Sequence, residues 1–263
     1  MDIRLPSVAG TFYPASQVAL HDDVEAYLSA VPPLPPRSQP KAIIAPHAGY
    51  IYSGPVAAFG YAAVRPYAQQ IQRVVLLAPA HRLPFRGLAV PSADVFRTPL
   101  GDVPVDRAAV DRLLELPAVQ TIDRAFDNEH AIEVQLPFMQ EVLGVFSLVP
   151  VVVGMAEDGD VAAAIEALWG GEETLFVVSS DLSHYLDYQT ARARDARTRD
   201  AIERLAPEQL AGDDACGYLA VRGLLSVARA KGMQVRTLDM RNSGDTAGPR
   251  DQVVGYGSYA VYP

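Results

Sequence analysis

The chain has 263 residues, a formal net charge of −9, 49% hydrophobic and 20% charged residues, and a single cysteine. A chain of this size buries a sizeable core, and no uninterrupted apolar run nears the roughly 20 residues of a membrane-spanning helix. The acidic balance disfavours broad contact with nucleic-acid phosphates, and a lone Cys216 makes disulfides within the chain impossible.

The start, MDIRLPSVAG, has neither the basic region nor the apolar block of a secretory signal, so the cytoplasm is the expected location. Residues 31–40, VPPLPPRSQP, hold too many prolines for a helix or a central strand. They read as a loop that closes an N-terminal arm, residues 1–40, of one domain spanning 1–263. Continuous apolar runs of strand length follow at 41–45 (KAIIA), 73–78 (RVVLLA), 146–154 (FSLVPVVVG) and 174–181 (TLFVVSSD). Runs that do not alternate belong to strands buried on both faces.

Helical segments lie between or after them: GPVAAFGYAAV from 54, DRAAVDRLLEL from 106, EHAIEVQL from 129, DVAAAIEALW from 160 and CGYLAVRGLLSVARAKG from 216. Residues 87–105, broken by Pro and Gly, suggest a local antiparallel excursion, and the final VVGYGSYAVYP reads as a late strand. The expected fold is a single α/β domain, with a largely parallel or mixed central sheet and helices on both faces. Residues 190–205, TARARDARTRDAIERL, read either as a solvated helix face or as a patch for an acidic partner.

In sheets of this kind ligands collect beyond the carboxyl ends of the strands. His47 lies two residues past KAIIA, His81 three past RVVLLA and His184 three past TLFVVSSD, so parallel strands would bring three histidines to one edge. His130 opens the EHAIEVQL helix, with Glu133 three residues on, while His21 reads as an exposed helix-start residue. Imidazole suits iron, copper or zinc, and two histidines with one acid leave positions open for substrate. Asp181, in SSDLSH, either holds a ring nitrogen of His184 for acid–base work or caps a helix. The absence of a G-x-S-x-G elbow weakens a serine-hydrolase reading. Tyr50 and Tyr52 either line a cleft or pack in the core. Asp245, in SGDTAG, either completes the ligand set or sits in an ordinary turn.

The motifs AGTFYP, PHAGYIYSG, APAH, DNEHAIEVQLPFMQ, VPVVVG, SSDLSHY, ACG and NSGDTAG…VVGYGSYAV occur in that order over nearly the whole chain. Together they resemble the Memo family, identified in bacteria and archaea as system protein B of the AmmeMemoRadiSam set. The resemblance implies a fold similar to class III extradiol ring-cleaving dioxygenases. It implies that His47 and His81 are metal ligands, that His184 is the pocket acid or base, and that His130 and Asp181 line the same pocket. The ring-cleaving relatives take a third ligand, a glutamate, from near the C-terminus, and animal Memo proteins take a cysteine there. Here that region holds neither, which leaves Thr246 near the cysteine position and Asp245 as the nearest carboxylate. Cys216 matches a different family element, the Cys-Gly before a helix, and is not assigned to the metal.

The reading that follows is an iron- or copper-dependent, dioxygenase-like oxidoreductase acting on a small substrate, with zinc also compatible. Its rival is a non-catalytic module that binds a peptide or protein in the same pocket, as the animal relatives do with phosphotyrosine peptides. The resemblance also implies a radical-SAM protein as partner.

Overall fold

Four consecutive-type apolar runs do become the middle of a sheet, and their register decides where the histidines go. The structure, a computed structural model, describes residues 2–35 and 37–263. Before the sheet come β1 (Ile3–Arg4) and α1 (Gln17–Ser29), the latter capped by the Ser16 hydroxyl. The proline-rich segment forms neither helix nor strand, save that Pro36 lies outside the described residues.

Next follow β2 (Ala42–Ala45), α2 (Tyr50–Val64), β3 (Arg73–Pro79) and β4 (Leu88–Val90). A hairpin of β5 (Val95–Thr98) and β6 (Gly101–Pro104) pairs with β1 in a separate three-stranded sheet. Then come α3 (Arg107–Leu114), β7 (Val119–Thr121), α4 (His130–Glu133) and α5 (Leu136–Leu143). The single helix expected from 129 is thus two: Pro137 has no N–H to offer the Glu133 carbonyl, so the ladder breaks between them.

The second half supplies β8 (Ser147–Val153), α6 (Asp158–Ala167), β9 (Thr174–Ser179), β10 (His184–Leu186) and α7 (Tyr188–Glu203). It closes with α8 (Tyr218–Ala230), β11 (Gln234–Asn242), α9 (Ser243–Thr246) and β12 (Val253–Tyr262). Helix α7 covers the mixed-charge segment; it buries Ala191, Asp195 and Thr198 and leaves most of its arginines toward solvent.

The main sheet runs β10-β12-β2-β9-β3-β8-β4-β7, with β11 also on β12. Its centre, β2-β9-β3-β8, is parallel, whereas β12 and β4 join it antiparallel, so the sheet is mixed. The excursion expected at 87–105 is present in β4 and in the β5–β6 hairpin. No helix among the described residues is long and apolar enough to cross a membrane.

Every residue of β2 and β9 is buried, as are Val74 to Pro79 of β3. Burial of each Leu or Val there stabilises by about 1.5–3 kcal/mol. Leu76, fully buried in the central strand β3, should therefore be costly to truncate. Leu76→Ala is expected to destabilise by about 2–5 kcal/mol, read as a thermal midpoint lower by about 2–4 °C per kcal/mol.

Candidate functional site

In the parallel β2–β9 ladder Ala45 pairs with Ser179, so both strands end at one level. Pro46 then ends the ladder, since it has no N–H, and the chain turns out of the sheet. Two residues past each strand end stand His47 and Asp181, side by side: the His47 N–H donates to Asp181 Oδ1 at 2.7 Å. His81 arrives from the neighbouring β3, and His184 from the start of β10.

These side chains line one cavity of about 510 Å³, together with His130, Phe12, Tyr52, Tyr185 and Tyr256. The rings of His47 and His81 lie 5.1 Å apart, His47 and His130 5.3 Å, and His81 stacks on His130 at 4.8 Å. Neither lysine nor arginine is among the described residues that line the cavity.

Hydrogen bonding fixes how the two foremost rings face. The Ser179 hydroxyl spends its proton on the Ala131 carbonyl at 2.7 Å and accepts from Gln135 Nε2 at 2.9 Å. His47 Nδ1, 2.9 Å from the same oxygen, must then be the donor. That tautomer leaves His47 Nε2 with a bare lone pair, and Nε2 points at Cys216 Sγ, 3.3 Å away. His81 is held in the same sense: Nδ1 lies 2.9 Å from Glu129 Oε1, and its backbone N–H donates to Glu129 Oε2 at 2.7 Å. Its Nε2 is thereby left for a ligand. Imidazoles tied through one nitrogen to a hydroxyl or carboxylate are the usual arrangement behind a metal ion.

The thiol is the residue that sequence reasoning set aside. Cys216 stands just before α8, and the Cys216 N–H donates to the Asp181 carbonyl while its sulfur accepts the Asp181 N–H at 3.3 Å. Gly217 permits this approach, because an added Cβ would fall 2.8 Å from the Ser179 carbonyl oxygen. His47, His81 and Cys216 thus offer donor atoms all within 4.8 Å of one another, as do His81, Glu129 and His130. The Cys-Gly pair before a helix was the available signal, but nothing in the spacing tied residue 216 to residue 47.

Asp245 does not join the histidines. Its Oδ2 accepts the Asn242 N–H in a capping box on α9, and its Oδ1 accepts the Tyr188 hydroxyl at 2.5 Å. Asp245 serves neither as a ligand nor in an ordinary turn but as a capping residue of a short helix. Tyr50 is likewise withdrawn from the cleft: it is buried against Phe138, and its hydroxyl donates to the Val134 carbonyl at 2.7 Å. Tyr52 does line the cavity. Asp181 neither caps a helix nor holds the His184 ring; its carboxylate receives the backbone N–H groups of His47 and Ala48. Glu133 does not pair with His130 but holds the N-terminal arm. Phe12, its ring 4.6 Å from His130, and Tyr256 are pocket walls that the sequence reading did not anticipate.

Burial governs the protonation of the site. It drives His47 well below the ordinary imidazole range, assisted by repulsion from His81, His130 and His184. Burial also lowers His130, to about 4 despite the opposing charge of Glu129, and lowers His184. Burial alone would raise Glu129, but the His81 hydrogen bond and charge, with the N–H groups of Ala131 and His81, hold it below the ordinary carboxylate range. Burial pushes the Cys216 thiol up to about 12, with the nearby Asp181 charge adding to it.

A model of the Memo-like protein family matches residues 4–260. The chain belongs to the Memo family. Among relatives, a MEMO1 family protein of Aquifex aeolicus is 35% identical over 267 residues, covering 97% of this chain and 98% of the relative. One of Thermotoga neapolitana is 37% identical, with 97% and 98% covered, and one of Aeropyrum pernix 36%, with 99% and 100%. Among solved structures, an uncharacterized protein of Escherichia coli K12 superposes with a TM-score of 0.55 at 13% identity, covering 82% of this chain and 98% of that one. At that identity the likeness concerns the fold alone. The Memo motifs fall where the cavity is built, on the strand ends that carry His47, His81 and Asp181.

Asp181 gives this Memo-family site a pH signature. Burial raises its carboxyl to about 7, against opposing hydrogen bonds from the backbone of His47 and Ala48. Between about pH 4 and about pH 7 the unfolded chain therefore binds fewer protons than the folded one, and this group's contribution to stability falls as pH rises. Asp181→Asn keeps an acceptor for the His47 N–H. In metal-free protein its thermal midpoint relative to wild type is expected to climb from about pH 4 to about pH 7 and then level off. A flat difference across that range would remove the shifted carboxyl.

Proposed function

We propose that the cavity is a metal-dependent catalytic pocket for a small-molecule substrate, and that His47 and His81 hold the ion through Nε2 with Cys216 as third donor. The observation that carries this reading is the pair of Nδ1 anchors, Ser179 on His47 and Glu129 on His81, which leave two bare nitrogens beside one thiol. The donor set fits: two neutral imidazoles and a sulfur suit iron, copper or zinc, and three protein ligands leave positions open. A metal there supplies Lewis acidity and, for iron or copper, electron exchange with the substrate.

The remaining chemistry falls to the chain itself. His184, kept neutral by burial and free of a carboxylate partner, is suited to take a proton from a substrate hydroxyl and return it. His130 lines the same space, its buried Nδ1 making no hydrogen bond and lying 3.5 Å from Glu129 Oε1. Tyr52 and Tyr256 offer hydroxyl-bearing rings to the ligand, and Phe12 shields the histidines from water. Cys216, protonated in the metal-free protein, must release its proton for sulfur to act as donor. An oxidase- or dioxygenase-like reaction is the form of turnover this set serves best.

The test is metal content. Protein stripped with a chelator and offered iron(II), copper(II) or zinc separately is expected to retain about one ion per chain in wild type. His47→Ala and His81→Ala should lose it, and Cys216→Ser should bind more weakly. A wild type that binds no metal yet captures a peptide would replace the catalytic reading with a binding module. The anchor behind His81 adds a further check: Glu129→Gln should lower metal affinity by about 10- to 100-fold with every ligand intact. Unchanged affinity would mean that Glu129 does not orient the ring.

A further inference from the structure

One carboxylate near the cavity has no part in holding metal or moving protons. Glu133, at the end of α4 and three residues after His130, is 7% exposed. Its Oε2 accepts the Ser7 N–H at 2.7 Å and the Ser7 hydroxyl at 2.8 Å; its Oε1 accepts the Val8 N–H at 3.0 Å and the Tyr13 hydroxyl at 2.5 Å. All four donors belong to residues 7–13, more than a hundred positions away in sequence, and none is a cation.

The segment so gripped is a tight turn, in which Thr11 and Phe12 N–H groups donate to the Val8 carbonyl and Gly10 to that of Tyr13. Fixing residues 7, 8 and 13 therefore fixes residue 12. The Phe12 carbonyl accepts the Tyr50 N–H at 2.8 Å, at the start of α2, and its ring lies 4.6 Å from His130. His130 stacks in turn on His81. A fourfold acceptor is a specific demand: a glutamine would turn its amide hydrogens toward one pair of these donors and lose them. Hydrogen bonds to an ionised acceptor are also short and directional, which suits registration better than packing would.

We propose that Glu133 is a positioning residue for ligand recognition: it docks residues 7–13 so that Phe12 closes the cavity over His130 and offers its ring to a flat apolar group of the ligand. This rests on the reading that the cavity takes a small ligand. A purely structural anchor would act on stability alone, whereas a positioning group acts through Phe12, so its effect on affinity vanishes once Phe12 is gone.

The experiment is a double-mutant cycle with 4-nitrophenol as the probe, titrated into wild type, Glu133→Gln, Phe12→Ala and the double variant, each with zinc added. Each single variant is expected to weaken binding by about tenfold, and the double variant to bind no worse than Phe12→Ala. Ser7→Ala, which removes one donor from the arm, should weaken binding by a smaller factor and serves if Glu133→Gln unfolds. Additive losses, a Glu133→Gln with wild-type affinity, or a wild type that ignores 4-nitrophenol would each overturn the proposal. Zinc content of the same samples separates this from the metal reading. Zinc held by Glu133→Gln and lost by His47→Ala supports the metal centre whatever the phenol does. Zinc absent from wild type, with the cycle still non-additive, overturns the metal centre and leaves the role of Glu133 intact.

Discussion

Because Ala45 pairs with Ser179 in a parallel ladder, β2 and β9 leave the sheet at one level, and the polar groups that follow them are delivered to each other. The His47 N–H meets the Asp181 carboxylate, and the His47 ring meets the hydroxyl of Ser179 itself. A slip of one residue in this ladder would turn Ser179 to the opposite face of the sheet and release the ring. The Ser179 hydroxyl guards against that slip, since in the observed register it is buried but satisfied by the Ala131 carbonyl and Gln135 Nε2, and a shift would bury it unpaired. The buried core and the orientation of one nitrogen lone pair are therefore set by the same register.

The electrostatics of the cavity follow from where the rings were put. Three imidazoles in this low-dielectric space, those of His47, His130 and His184, resist protonation through desolvation first, with repulsion from neighbouring histidines adding to it. Glu129 keeps its charge beneath them because it is wrapped by N–H groups from His81 and Ala131. The cavity thus gathers imidazole rings in one place, and neither lysine nor arginine is among the described residues on its walls.

Much of this was legible before any coordinates. The four apolar runs mark the central strands to within two residues, because strands buried on both faces leave an unmistakable pattern. The convergence of His47, His81 and His184 follows from parallel order alone. What stayed hidden was set by tertiary contact. Cys216 reaches His47 through a glycine-permitted approach of two loops 35 residues or more apart, which no local pattern records. Asp245 looked like a ligand because a carboxylate was needed, yet local capping and Tyr188 claimed it. Tyr50 and Tyr52 illustrate a different limit: two residues apart on a helix they diverge by roughly 200°, so one must turn to the core if the other faces the cavity. Knowing that α2 begins at Tyr50 would have separated them.

The cavity's walls draw on both extremities of the chain, Phe12 near the start and Gly248, Pro249, Gln252 and Tyr256 near the finish, as well as on Tyr52 and Tyr185. The donor atoms belong to strand ends and the loop before α8. Much of the wall and the candidate donor atoms are therefore carried by different stretches of polypeptide. A substitution at Pro249 or Gln252 would thus reshape the space while leaving every candidate donor side chain in place.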